Sequence, residues 1–442
     1  MVRETRQDRQ PTPASGDVPS APPGVTAAGI VGNVLEWYDF ALYGYLATVF
    51  AGQFFPSSDA VASLIGAYSA FAVGFLARPL GGVIYGRIGD RLGRRRLLTV
   101  SVAMMGLPTF ALGLLPTYES VGLLAPVLLV ALRFAQGISA GGEFSGSIVF
   151  LVEHAPPKRR GFQGSLSNFG AMIGGLAGAG VAWLLTAALS SEVLDAWGWR
   201  IPFLFGIVVT AIGLWLRMGV AESPAFSDIR NTGSVEKAPV VAAIRQHPRE
   251  IAVTAGLNWV PSAGYYIVFV WLATDLSTVV GMSEATALGL STLGLLVGTL
   301  AVPLFGAAAD RFGPRVVLLI TGVATLVAAA PLLLLAGTGA LVFAAIAQVG
   351  LAVMMAAYLG TLPGVFVSLH GPRVRCSSLS IGYNIAVAVF GGTAPLIATA
   401  LVGATGWQVA PGLYLAATAL IGLALLRFVP WRLDAPGAGK PD

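Results

Sequence analysis

The chain has 442 residues, 56% of them hydrophobic and 11% charged, with a mean hydropathy of +0.79. Soluble domains carry about 25% charged residues, so this composition excludes a soluble globular protein and points to an integral membrane protein. The formal net charge of +5 does not call for nucleic acid, because the basic residues fall in short breaks between apolar segments.

Residues 1–24, MVRETRQDRQPTPASGDVPSAPPG, hold Arg, Pro and Ser without the apolar core of a signal peptide, and are expected to form a disordered cytoplasmic tail. Beyond them, segments of roughly 20 apolar residues, enough to cross about 30 Å of hydrocarbon, recur along the chain. Twelve spans are predicted, at 25–50, 61–85, 97–116, 121–152, 162–189, 200–219, 251–274, 285–309, 315–336, 338–368, 376–403 and 409–428. Runs such as AAAPLLLLAGTGALVFAAIA lack the alternation of barrel strands. The predicted fold is therefore an all-α membrane protein, with twelve transmembrane helices in two six-helix bundles at 25–219 and 251–428, a linker at 220–250 and a short tail at 429–442.

Arg87, Arg91, Arg94, Arg95 and Arg96 follow the second span, and Lys158, Arg159 and Arg160 follow the fourth. Arg217, Arg230, Lys237, Arg245 and Arg249 surround the break after the sixth; Arg311 and Arg315, then Arg373 and Arg375, follow the eighth and tenth. Even-numbered breaks share one side of the membrane, and the positive-inside rule makes that side the cytoplasm, with both termini on it. The odd-numbered breaks carry Asp59, Glu119, Glu192, Asp195 and Glu284, with Arg200 the one basic residue beside them. In the linker, PVVAAIRQH reads as a short amphipathic surface helix or as a plain connector.

GRIGDRLGRRRLL at 86–98 and GAAADRFGPRVVL at 306–318 align at a constant offset of 220 residues. KRRGFQGSLSN at 158–168 likewise corresponds to RVRCSSLSIGYN at 373–384. Two matched pairs indicate a parallel duplication of a six-helix unit, which is a transporter architecture. Gly86 and Gly93 allow close approach and a tight turn. Asp90 is expected to cap the start of the third span and to pair with Arg94 at i, i+4. In the second copy Asp310 takes the place of Asp90, and Pro314 stands where Arg94 does.

Five ionisable residues fall inside spans: Glu36, Asp39, Arg78, Arg133 and Glu143. Each would cost about 3 kcal/mol at the bilayer centre facing lipid, so they must pair or line a wet cavity. Glu36, Asp39 and Tyr43 share one helical face, as do Arg133, Gln136, Ala140 and Ser147. The first and fourth spans are expected to face each other across a polar cavity, with Asp39 and Glu143 as candidate partners of Arg133. Arg78 is expected to snorkel or to bond carbonyls. His154, His247 and His370 lie outside the spans, which leaves carboxylates to carry a proton, and a desolvated Glu is raised toward the physiological range. The second half offers Asn258, Tyr265, Tyr266, Gln348, Tyr358, Tyr383 and Asn384, neutral groups suited to orienting a small polar solute. Gly170, Gly174 and Gly178 let the fifth span approach a neighbour. The single cysteine, Cys376, excludes an internal disulfide. No metal-ligand cluster, nucleophile arrangement or phosphate loop stands out, which argues against an enzyme, and tail and linker are too short for a signalling module.

G-x-x-x-D-R-x-G-R at Gly86, Asp90, Arg91, Gly93 and Arg94, and R-x-x-Q-G-x-x-A at Arg133, Gln136, Gly137 and Ala140, resemble the loop and fourth-helix signatures of the major facilitator superfamily. GNVLEWYDFALYGY, FLARPLGG, GGEFSG, WGWRIPF and ESPAF together resemble its metabolite:proton symporter family. That resemblance implies two pseudo-symmetric bundles in the inner membrane that rock by alternating access, a gating role for Asp90, Arg94 and Asp310, and proton coupling at Glu36, Asp39, Arg133 and Glu143. It implies proton symport of a small solute into the cell, with dicarboxylates, tricarboxylates, shikimate-like acids, proline and betaines as the substrate classes. With Arg78 and Arg133 as counter-ions, an organic acid is the expected substrate; a proline/betaine-type osmolyte and an uncoupled facilitator or exporter are the alternatives. Expected solute contacts are Tyr43, Arg133, Gln136, Asn258, Tyr265, Gln348, Tyr383 and Asn384. The coupling ion is the proton, with no other cofactor; the protein is expected to work as a monomer in the lipid bilayer.

Overall fold

The structure, a computed structural model, describes residues 23–431. The tails expected at 1–24 and 429–442 lie outside the described residues except at their inner ends. The described residues are helical, and no strand occurs among them. Ten of the helices are long and apolar enough to cross a membrane. These match ten of the predicted spans: the second at Ala60–Leu92, third at Arg94–Gly113, fourth at Leu124–Glu153, fifth at Arg160–Ala188 and sixth at Ile201–Met218, then the eighth at Glu284–Phe312, ninth at Pro314–Ala336, tenth at Leu341–Leu369, eleventh from Arg375 to Thr405 and twelfth at Ala410–Leu425.

The first and seventh spans are helical but interrupted. The first, Pro23–Tyr45, breaks at Leu46 and resumes as Ala47–Phe54. The seventh runs Pro248–Tyr266, widens into a π turn at Ile267–Trp271 and ends at Leu272–Thr278. The eleventh carries a matching π turn at Val387–Gly391 between Arg375–Ala386 and Ala394–Thr405. Such turns often mark functional sites, and both abut the cavity described below.

Packing repeats between the halves. The first span lies on the fifth, the second on the fourth and the third on the sixth; correspondingly the seventh lies on the eleventh, the eighth on the tenth and the ninth on the twelfth. The halves meet where the second span lies on the eleventh and the fifth on the eighth. Small residues make these contacts possible: a Cβ on Gly178 would sit 2.7 Å from the Tyr38 carbonyl oxygen, so glycine is what lets the fifth span reach the first. The glycine-rich GISAGGEFSG has the same use, with Gly137 and Gly141 pressed on the backbone of Gly74 and Arg78.

Gly93 and Gly313, at φ 103° and 87°, turn the chain between the second and third and between the eighth and ninth spans, a backbone region that side chains avoid. In the linker, Pro224–Asn231 and Pro239–Gln246 are short helices. The second is the expected amphipathic segment; it buries Ala242 and Ala243 and packs on the second and eleventh spans.

Candidate functional site

The charges deep within the spans of the first half are resolved into three buried ion pairs. Arg133 Nη1 donates to Asp39 Oδ2 at 2.6 Å, while Thr109 Oγ1 and Gln136 Nε2 donate to Oδ1 at 3.0 and 2.9 Å. The Arg133 guanidinium lies 3.7 Å from the Tyr43 ring centroid, and Tyr43 donates its hydroxyl to the Ala67 carbonyl at 2.9 Å. Asp39, Tyr43, Thr109, Arg133 and Gln136 are all buried without solvent exposure. The first and fourth spans therefore meet directly at this ion pair. The pair is held by these donors, while Arg133 Nε and Nη2 and Gln136 Oε1 are buried with no hydrogen-bond partner among the described residues. Tyr43 and Gln136, expected to touch solute, cover and hold this pair instead.

Glu36 accepts from Arg78 Nη1 at 3.1 Å, and Arg78 also reaches the Ala140 carbonyl at 3.4 Å. The other carboxylate oxygen of Glu36 is buried with no hydrogen-bond partner among the described residues. Glu143 does not meet Arg133: both lie on one helix, roughly 15 Å apart along its axis. It pairs with Arg217 at 2.5 Å and accepts from the Ser101 hydroxyl. Arg217, grouped in the sequence with the basic residues around the sixth break, occupies the last turn of the sixth span and is 1% exposed. Charge neutrality was the available signal, since three acids against two arginines within the spans require a third cation.

Between the halves lies a partly open cavity with about 490 Å³ of empty space. Trp37 and Asn168 line it from the first half, and Asn258, Tyr265, Tyr266 and Tyr383 from the second; none of its lining residues is charged. A space of about 230 Å³ continues from it, sharing Asn168, Asn258 and Tyr383 and reaching Tyr358. Asn258, Tyr265 and Tyr383, three of the expected solute contacts, line this cavity. Gln348 and Asn384 do not line either space. Gln348 donates to the Val268 carbonyl at 3.1 Å, and Asn384 joins the halves by donating to the Gly141 carbonyl at 2.6 Å. Trp37 is a lining residue that the sequence reading missed, because in sequence it does not differ from a packing aromatic.

On the side of the basic breaks, the halves are latched. Asp90 does not cap the third span. Its two oxygens accept from the Cys376 and Ser377 amides at 3.1 and 2.8 Å, capping the eleventh span across the interface. The start of the third span is capped by Glu222 of ESPAF, which accepts from the Arg94 amide at 2.9 Å. Asp310 does the mirrored task, accepting from the Gly161 and Phe162 amides at 2.7 and 2.8 Å at the start of the fifth span. The positive end of each helix favours the carboxylate. Arg94 lies 3.4 Å from Asp90, 3.1 Å from Glu153 and 2.7 Å from the Pro372 carbonyl. Glu153 also holds Arg375 at 2.8 Å. Glu153 is a second residue the sequence reading missed. Among the described residues, the hydrogen bonds and ion pairs that join the halves lie at this latch or beside the cavity.

Two repeated helical units around a shared central cavity, latched on one side of a membrane, define a transporter and not an enzyme. The Major Facilitator Superfamily model matches residues 29–381, and the chain belongs to that superfamily. It is 34% identical over 425 residues to the glycine betaine/proline/ectoine/pipecolic acid transporter OusA of Dickeya dadantii (strain 3937), covering 94% of this chain and 84% of that one. It is 34% identical over 411 residues to the proline/betaine transporter of Escherichia coli (strain K12), covering 90% and 81%. Among solved structures, the proton:xylose symporter XylE bound to 6-bromo-6-deoxy-D-glucose matches with a TM-score of 0.77 at 17% identity, over 92% of this chain and 95% of that one. FucP in the outward conformation matches at 0.63 and 16% identity, over 91% and 99%. These two likenesses bear on the fold alone.

Proposed function

We propose that the protein is a proton-coupled symporter that imports a small zwitterionic osmolyte of the proline/betaine kind. The observation that carries this reading is the lining of the central cavity, aromatic rings and amides without a charged side chain. An organic acid, the substrate expected from the sequence, needs a cation to replace its hydration. Arg133 and Arg78 were to provide it, and both are engaged by Asp39 and Glu36. A zwitterion is neutral overall, so its carboxylate can be met by neutral N–H donors without a buried net charge. The names of the two relatives, a betaine/proline/ectoine/pipecolic acid transporter and a proline/betaine transporter, support the same class.

The proton is assigned to Glu36. Asp39 accepts from three donors, whereas Glu36 has one donor and one oxygen without a partner among the described residues. Proton binding at Glu36 releases Arg78, which ties the pair's protonation to the neighbouring cavity. Asp90, Arg94 and Asp310 form the latch that opens when the halves rock, with the latched side and both termini cytoplasmic by the charge bias. Uptake of radiolabelled glycine betaine, proline, succinate and citrate into proteoliposomes under an inward proton gradient tests the assignment. Accumulation of the zwitterions is the expected result; accumulation of succinate or citrate without them would restore the organic-acid reading.

A further inference from the structure

We infer that Trp37, Tyr265, Tyr266 and Tyr383 form a cage for a methylated ammonium group, so that the site prefers N-methylated zwitterions to the same amino acid unmethylated. This rests on the zwitterion reading of the cavity. The rings of Trp37 and Tyr265 have centroids 5.5 Å apart and planes crossed at 61°, and those of Tyr265 and Tyr266 are 5.4 Å apart at 77°. Three lining rings thus build a corner and not a stack. The rings are held by further aromatics: Phe75 packs edge-on to Tyr266 at 6.2 Å, and Phe144 stacks on Tyr383 at 4.8 Å.

This arrangement treats the two kinds of ammonium differently. A quaternary ammonium has no N–H to satisfy and is held by the negative faces of aromatic rings. A primary ammonium brings three donors and a firmly bound hydration shell, and the lining has no carboxylate to replace that shell. Each methyl group therefore removes an unmet donor and adds ring contact. The carboxylate end finds neutral N–H groups. The indole Nε1 of Trp37 is buried and has no partner among the described residues. Asn168 and Asn258 each spend one amide N–H, on the Leu359 carbonyl at 2.8 Å and the Ser262 hydroxyl at 3.1 Å, and each amide has a second to give.

The test is calorimetric binding of glycine, sarcosine, dimethylglycine and glycine betaine to the purified full-length protein, with succinate as a fifth titrant. Affinity is expected to rise along the series, by about tenfold or more from glycine to glycine betaine. Tyr265→Phe should keep that gradient and Tyr265→Leu flatten it; if the leucine variant does not fold, the wild-type series decides alone. A flat or descending series overturns the cage while leaving the zwitterion reading intact. Succinate binding with no response to any member of the series overturns both.

Discussion

Asp39 accepts hydrogen bonds from Arg133, Thr109 and Gln136, and Glu36, one helical turn earlier, accepts from Arg78 alone. The two carboxylates should therefore respond differently to neutralisation. Asp39→Asn leaves Arg133 buried without its counter-ion, which costs about 3–5 kcal/mol and should lower the thermal midpoint clearly. Glu36→Gln should fold with a smaller loss and fail in proton-driven accumulation. Equal destabilisation by both variants, read by differential scanning fluorimetry, would contradict this division. His370, at the end of the tenth span, shares a 2.9 Å hydrogen bond with Thr254, and burial pushes its pKa down to about 3 from 6.5. The folded state therefore keeps it neutral while the unfolded chain protonates it, so stability is full above pH 6.5 and is lost as pH falls toward 3. Between pH 6.5 and 5 the loss is about 2 kcal/mol, and His370→Gln should remove that part of the acid sensitivity. An unchanged pH dependence of the midpoint in the variant would refute it. At this scale the sequence was only partly legible. Its patterning marks Glu36, Asp39 and Arg133 as costly in lipid, but which arginine serves which acid depends on how helices distant in sequence are rotated against each other. Arg217 shows the limit, since a last-turn arginine and a loop arginine look alike in one sequence.

The eleventh span begins at the latch, with Cys376 fully buried against Gly89 and Asp90 of the second span. A Cβ on Gly86 would come within 2.7 Å of Ser377 Cα, so glycine is required for the second and eleventh spans to close. The lone cysteine consequently reports on the latch. Asp90→Ala or Arg94→Ala should raise the rate of Cys376 alkylation by a membrane-permeant maleimide severalfold, because each removes a cross-interface bond; rates equal to wild type would show that these contacts do not hold the side shut. The repeat of the D-R-x-G turn exposed this element in advance, as did the i, i+4 spacing of Asp90 and Arg94. What it could not disclose was direction. Asp90 is close in sequence to the third span, yet it faces the other half, and Glu222 of ESPAF arrives from the linker to cap the third.

Across the whole molecule, the halves also touch between the eleventh span and the fourth, where the Ser145 and Ser380 hydroxyls are 2.6 Å apart. Cysteines at both positions, in a Cys376→Ser background, should form a disulfide on oxidation and arrest transport, with recovery on reduction; full cross-linking with undiminished transport would exclude rocking of one half against the other at this point. Twelve helices and their duplication were legible because hydropathy and charge bias act over whole spans. The π turns of the seventh and eleventh were not, since a π turn leaves no compositional trace. Nor was the cavity's character, because Trp37, Tyr265 and Tyr383 differ from packing aromatics only in where the fold puts them. Proton coupling through Glu36 joins all three scales, and luminal pH in proteoliposomes measures it directly. Adding glycine betaine outside should acidify the lumen with the wild-type protein and leave it unchanged with Glu36→Gln; betaine accumulation without acidification, or equal acidification by both proteins, would contradict the account.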